Sequence, residues 1–249
     1  MPARESEAII LRSFPLGEGD RLISFFSRTE GRLRGVASGA RKPKSRFGST
    51  LEMFSYVRIW YFERETRDLV RINQCDLIES FMDAQRDYVS TLAFALLSEA
   101  TEGVLGEREA AEANFRLLLV AARALKSGAS SVLVLAYFAF WSVRLGGWMP
   151  RLDRCSLCNT ELGEAAYVSG ERGVICGNCR LPGERAISQQ ALAVMRRMAT
   201  EKLESLMTAI AGDRNVSEVM DFMFDVIEFH IEKRLQSRRL LEEHLEHHL

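Results

Sequence analysis

The spacing of hydrophobic and polar positions changes character once along the chain, near Ser80. Before that point the runs EAIILRS, RLISFFSR, RLRGVASG, FSYVRIWYF and LVRINQCDLIES mix β-branched, aromatic and charged residues, as half-buried strands do. PLGEGD and TEG separate the first three runs, and ERETRD separates the last two as a hairpin connection; all three are rich in turn formers. Five strands with no helix among them predict a small β-domain over residues 1–80, with an OB-fold barrel as the candidate. Strand order and closure do not follow from the pattern.

After Ser80 the period becomes helical. Apolar positions 89, 92, 93, 96, 97, 100 and 104 predict a helix from Tyr88 to near Gly106. Phe115, Leu118, Leu119, Ala122 and Leu125 form a second face, ended by Gly128. Ser130 or Ser131 is positioned to cap a third helix, apolar nearly all round and stopping at Gly146–Gly147. A helix without a polar face belongs at the centre of its bundle. Residues 150–183 break the pattern, and helices resume beyond them. Ser188 is placed to cap a segment through Met198 or further. Asn215 with Glu218 reads as a capping box for one helix running to about Arg239, with Met220, Met223, Phe224, Ile227 and Ile231 as its buried stripe. The chain therefore divides into a β-domain (1–80), a helical domain in two parts (81–149 and 184–241), an insert (150–183) and a tail (242–249). The fold class is α+β.

The insert carries four of the five cysteines. Cys155, Cys158, Cys176 and Cys179 stand as C-x₂-C-x₁₇-C-x₂-C. Two intervening residues let a tight turn aim both sulfurs at one point, and the seventeen between pairs suffice for a hairpin that brings the second turn back. Four thiolates then complete a tetrahedral Zn²⁺ shell with no open position for a reactant, a structural zinc ribbon. An iron–sulfur or redox site is the alternative. Deaminase chemistry needs a His-x-Glu ahead of its cysteines, which this chain lacks. Cys75, alone in a strand, reads as a small core residue.

Charge is balanced overall, with 33 basic and 34 acidic residues, so affinity for a polyanion must come from a local patch. The first 46 residues supply one, with ten Arg/Lys against five acids. GARKPKSRFG at 39–48 concentrates it: Arg41, Lys42, Lys44 and Arg46 precede Phe47. A solvated loop is the plain reading of such a run; a phosphate-binding surface, joined by Arg12, Arg21, Arg32 and Arg34, is the functional one. Phe47 either stacks on a base or plugs the barrel. His230 is the only histidine outside the tail, and Walker A and GxGxxG motifs are missing, so nothing argues for an enzyme. The N-terminus has no signal-peptide pattern and the longest apolar stretch falls short of a membrane span, which predicts a cytoplasmic protein.

With these residues in hand, the chain resembles the bacterial RecO family of recombination mediators. The resemblance rests on EAIILRSFPLGEGDRLISFFSRTEGRLRGVASGARKPKSRFGSTLEMFSYV, on GGWMPRLDRCSLC and on QSRRLL, and covers nearly the whole chain. It implies an OB-fold that binds single- and double-stranded DNA and anneals complementary strands coated with single-stranded-DNA-binding protein. It implies RecR as the partner in loading RecA onto such DNA, the acidic C-terminal tail of single-stranded-DNA-binding protein as a docking ligand, RecF as a further candidate partner, and association with the nucleoid. That docking would need aromatics edged by cations, and the helical domain offers Phe138, Phe140 and Trp141 with Arg123, Lys126 and Arg144. Zinc is an option within the family that this chain's cysteines keep. Two rival readings stand beside it: a zinc-ribbon adaptor that binds protein without touching DNA, and a zinc nuclease, which the closed metal shell disfavours.

Overall fold

The computed structural model describes residues 3–63, 68–163, 165–210 and 214–247, with side chains described as far as residue 244. Five strands, β1 (Ala3–Leu16), β2 (Asp20–Ser27), β3 (Gly31–Ala37), β4 (Tyr56–Phe62) and β5 (Val70–Glu79), close into a barrel in the order β1-β2-β3-β5-β4. All the pairings are antiparallel except β3 with β5. β1 is long enough to serve two neighbours. Its first half pairs with β4 and its second with β2, with a register shift between Ile10 and Arg12. The predicted OB-fold barrel is thus present, and its closing step is the parallel β3–β5 pairing that alternation could not reveal. Gly35 permits it: a Cβ there would lie 2.7 Å from Val70 Cγ2. The ERETRD connection falls mostly on residues 64–67, outside the described residues.

Period-2 alternation sends Ala8, Ile10, Ile23, Phe25, Leu33, Val57, Ile59 and Ile72 into the barrel, where burial of apolar side chains supplies the main stabilisation. Cys75 joins them, and desolvation pushes its thiol up to about 12, as expected for a small core residue.

Two compact units divide between Ala122 and Arg123. The first continues past the barrel through α1 (Tyr88–Val104) into α2 (Glu112–Lys126). Asp87 caps α1 by accepting from Ser90 N at 2.8 Å. Phe94 then meets Phe54 at 4.8 Å between ring centroids, Phe115 meets Phe26 at 5.4 Å, and Ser98 Oγ donates to Leu11 O at 2.8 Å. The change of period at Ser80 therefore marks a change of secondary structure rather than the edge of the compact unit.

The second unit centres on α3 (Ser131–Leu145), buried along most of its length and packed on α6 (Asn215–His230) as its apolar circumference predicts. Ser130 takes the N-cap position, but its side chain makes no capping hydrogen bond. The insert forms a three-stranded sheet in the order β7-β6-β8, from β6 (Ala166–Ser169), β7 (Gly173–Cys176) and β8 (Arg185–Ile187), so it extends past residue 183. Ser188 caps α4 (Gln189–Met198) by accepting from Ala191 N at 3.0 Å, and a short α5 (Leu203–Ala209) follows that the pattern did not announce.

Two helix readings need correction. Asn215 is the first residue of α6 rather than its N-cap, which is Arg214, and it and Glu218 reach back to the start of α4, where Glu218 accepts from Ser188 N at 2.8 Å and Asn215 Oδ1 accepts from Ser188 Oγ at 3.1 Å. The single helix expected to run to Arg239 is broken at His230, and α7 (Gln236–His247) starts again. The cause is Glu228. Its buried carboxylate accepts from Leu235 N at 2.8 Å and from Arg234 and Arg238 at 2.8 and 3.1 Å, drawing the chain out of the helix where Glu232 adopts φ +53°. A side chain that satisfies downstream backbone donors competes with helix continuation.

Candidate nucleic-acid interface and four-cysteine centre

The basic residues singled out in the sequence fall into two groups. Arg12, Arg21, Arg32 and Arg34 stand on the barrel strands, and each has a carboxylate neighbour. Arg12 pairs with Glu102 at 2.5 Å and Arg21 with Glu52 at 3.1 Å. Arg32 and Arg34 share Glu107 at 3.6 and 3.1 Å. Two of these acids belong to α1 and to the connection after it, which the charge count over the first 46 residues could not include.

The second group is the 38–46 loop. Here the cations carry no carboxylate partner among the described residues. Arg41 spends its hydrogen bonds on backbone, with its guanidinium donating to Gly17 O at 2.7 Å and its own N–H to Gly19 O at 3.0 Å. Arg46 Nε donates to Asn73 O at 2.7 Å. Carbonyls orient these guanidiniums without cancelling their charge. Gly39 N donates to Asp20 Oδ1 at 2.8 Å, which fixes the loop against the β1–β2 turn. Lys42 and Lys44 are exposed and, with Asp20, Ser38, Gly39, Ser45 and Arg46, line a pocket of about 390 Å³. A hydrogen-bonded loop whose cations have no direct ion pair among the described residues can hold a phosphate chain by charge.

Phe47 is placed differently from its stacking role. It is 1% exposed, packed in the barrel core beneath Arg46, whose guanidinium lies 4.8 Å from the ring centroid. The barrel-plug alternative is the one realised, because the turn after Arg46 rolls the ring inward. An aromatic of the barrel strands that does face solvent is Phe14, 47% exposed on β1, which the sequence reading passed over as part of a strand.

In the second unit the four cysteines of the insert converge. Their sulfurs all lie within 4.8 Å of one another, with Cys158 Sγ and Cys176 Sγ 3.6 Å apart, and none forms a disulfide. A tetrahedral shell with metal–sulfur bonds of about 2.3 Å has edges of roughly 3.8 Å, so the donor set fits such an ion. Backbone geometry makes the fit. Asn159, at φ +58°, closes the first knuckle as its N–H bonds Cys155 O at 3.0 Å, and a 3-10 turn over Gly177–Cys179 forms the second. Burial works against a Cys155 thiolate, but N–H groups of Cys158, Cys176 and Leu157 outweigh it and bring this thiol down to about 6. Sulfur contacts from Cys158 and Cys176 push Cys179 up to about 12. A doubly charged ion would displace the proton held by Cys179 and neutralise the crowding. Arg172 steadies the second knuckle, donating to Cys179 O at 2.8 Å while paired with Glu184 at 2.6 Å.

Of the aromatics considered for peptide docking, Phe138 and Phe140 are buried, whereas Trp141 is half-buried with Arg144 over its ring at 5.0 Å. Among the described residues, no helix is long and apolar enough to cross a membrane.

Comparison with known proteins agrees with both halves of this architecture. Residues 1–81 match the family model described as Recombination protein O N terminal, and residues 85–239 match Recombination protein O C terminal. A DNA repair protein RecO from Koribacter versatilis is 34% identical over 240 residues, covering 96% of this chain and 98% of its own. Proteins of the same name from a Nocardioides species and from Streptomyces griseus are 31% and 32% identical, each covering 95% of this chain and 98% and 97% of their own lengths. Matched by both family models along nearly its whole length and by these relatives, the chain belongs to the RecO family of recombination-repair proteins.

Proposed function

We propose that this chain is a non-enzymatic mediator of recombination repair. It binds single- and double-stranded DNA through the barrel and its 38–46 loop and anneals complementary strands coated with single-stranded-DNA-binding protein. With RecR it helps load RecA onto such DNA, working in the cytoplasm at the nucleoid. The observation that carries this reading is the 41–46 loop of an OB-fold, where Arg41, Lys42, Lys44 and Arg46 have no ion pair among the described residues and two of the guanidiniums are held by backbone carbonyls. Annealing makes and breaks no covalent bond. It requires a surface that neutralises two phosphate backbones while leaving bases free to pair, and cations on a rigid loop supply that.

The ion in the four-cysteine centre is Zn²⁺ in a structural role. Four protein ligands leave no place for water, so the metal would fold the ribbon rather than act on a substrate. Trp141 with Arg144 suits the acidic, hydrophobic-ended tail of single-stranded-DNA-binding protein, and RecF is a further partner in the same pathway.

The test is annealing of complementary oligonucleotides coated with single-stranded-DNA-binding protein, comparing the parent with a variant carrying Ala at Arg41, Lys42, Lys44 and Arg46. The proposal requires annealing by the parent and a large loss in the folded variant. Failure of the folded parent to anneal or bind DNA at low salt would favour the adaptor reading.

A further inference from the structure

Strand register across the outside of the barrel places four residues in one row. Phe14 on β1 is opposite Leu22 on β2, Leu22 is opposite Val36 on β3, and Val36 is opposite Arg71 on β5. Directly opposed residues on paired strands share a face. The neighbours Ile23, Ala37 and Ile72 point into the core, so this row points outward. Leu22 and Val36 are half-buried, while Phe14 and Arg71 are exposed. The row therefore runs as an apolar strip with an accessible aromatic ring at one end and a cation at the other.

What lies on either side of the row differs. On one side the next row, Arg12, Ser24 and Arg34, is closed off: Glu102 holds Arg12 at 2.5 Å and accepts from Ser24 Oγ at 2.5 Å, and Glu107 holds Arg34. On the other side stand the turn between β1 and β2 and the basic loop fastened to it. Arg41 bonds the carbonyls of Gly17 and Gly19, and Lys42 Cε would lie 3.6 Å from a Cβ built on Gly19. Arg41 and Lys42, which carry no carboxylate partner among the described residues, thus flank the turn that follows Phe14.

We propose that Phe14 is a base-stacking residue and that the Phe14–Leu22–Val36 strip is the platform on which unpaired bases of a single strand lie, with its phosphates held by the 41–46 loop. This deepens the DNA-binding reading above and rests on it. An exposed ring beside a cationic track is what a single strand requires, since every base has a face to stack and every linkage a charge to neutralise. A paired duplex offers the charge but keeps its bases stacked internally, so the strip gives preference for unpaired DNA. Charge complementarity is the reason to assign the strip to nucleic acid rather than to an apolar peptide.

The experiment measures binding of the full chain to a homopolymer deoxyoligonucleotide, to the same strand with abasic sites, and to a duplex. It uses the parent, Phe14→Ala, and Phe14→Trp as the rescue. Stacking contributes about 1–3 kcal/mol per base, so Phe14→Ala should weaken single-strand binding by about 5- to 140-fold at 1.4 kcal/mol per factor of ten. Duplex and abasic affinities and the slope against salt should stay close to the parent's, and Phe14→Trp should restore single-strand binding. Equal single-strand affinity of parent and a folded Phe14→Ala variant would overturn the subsite while leaving DNA binding by the loop intact, and would turn the strip over to protein contact. An equal loss on abasic DNA would also overturn it. If the parent bound no DNA at low salt, the subsite and the reading it rests on would fall together.

Discussion

Glu107 stands between Arg32 and Arg34, its carboxylate 3.6 Å from one guanidinium and 3.1 Å from the other. It lies in the connection between α1 and α2, where Arg108 N also donates to Arg32 O at 3.0 Å and Arg108 bonds Glu63. Glu102 does the same to Arg12 from α1. The first compact unit thus covers part of its own basic face with acids, while the cations of the 41–46 loop carry no carboxylate partner among the described residues.

Removing this cover should strengthen DNA binding. Glu107→Gln frees two guanidiniums, and the prediction is a steeper salt dependence, by up to about 1.4 logarithmic units for two added single-strand contacts. Arg34→Ala in the parent should leave the slope nearly unchanged, because that charge is already taken. Fluorescence anisotropy of a labelled oligonucleotide over a salt series checks both. A Glu107→Gln variant with the parent's slope would show that this face does not meet DNA.

Phe47 gives the opposite kind of prediction. Its ring fills the barrel among Ile10, Phe25 and Leu51. Phe47→Ala should therefore destabilise the first unit by about 3–5 kcal/mol through lost burial and a residual cavity. DNA affinity per folded molecule should stay close to the parent's, below the roughly fivefold or greater loss expected from deleting a base-stacking ring. Denaturant unfolding paired with binding at low denaturant measures the two effects separately. A stable Phe47→Ala protein with sharply weakened binding would restore the ring to the DNA site.

Replacing Cys155 and Cys176 by Ser breaks one ligand in each knuckle. Expected are loss of bound zinc, as read by a chromophoric chelator after acid release, and lower solubility as the ribbon loses its fold. DNA affinity per folded molecule should fall much less, since the loop cations are on the barrel. A well-folded double variant that no longer bound DNA would place the ribbon in the interface.

Much of this molecule was legible before its structure. Alternation disclosed five strands, and the C-x₂-C-x₁₇-C-x₂-C spacing disclosed the cluster, because both depend on residues close together in sequence. What the sequence left unread shares a cause. Whether Arg12 and Arg34 are ion-paired depends on acids about 70 to 90 residues away in sequence, at 102 and 107, which a local charge count does not see. Asn215 and Glu218 satisfied a capping pattern, yet both serve Ser188 at the start of α4, Glu218 accepting from its N–H and Asn215 from its hydroxyl. The helix predicted to run to Arg239 breaks because Arg234, Leu235 and Arg238 close on the Glu228 carboxylate. Phe47 and Phe14 were separated by burial, a property of the closed barrel. Tertiary partners, rather than propensity, decided each of these.

The most direct measurement of the central claim is the salt dependence of homopolymer DNA binding by the parent and by the variant with Ala at Arg41, Lys42, Lys44 and Arg46. At about 0.7 logarithmic units per single-strand phosphate contact, four lost cations should reduce the slope by up to roughly 2.8. Such a drop, in a variant as stable as the parent, is the result predicted. Equal slopes in the two folded proteins would contradict the account and move the DNA surface off this loop.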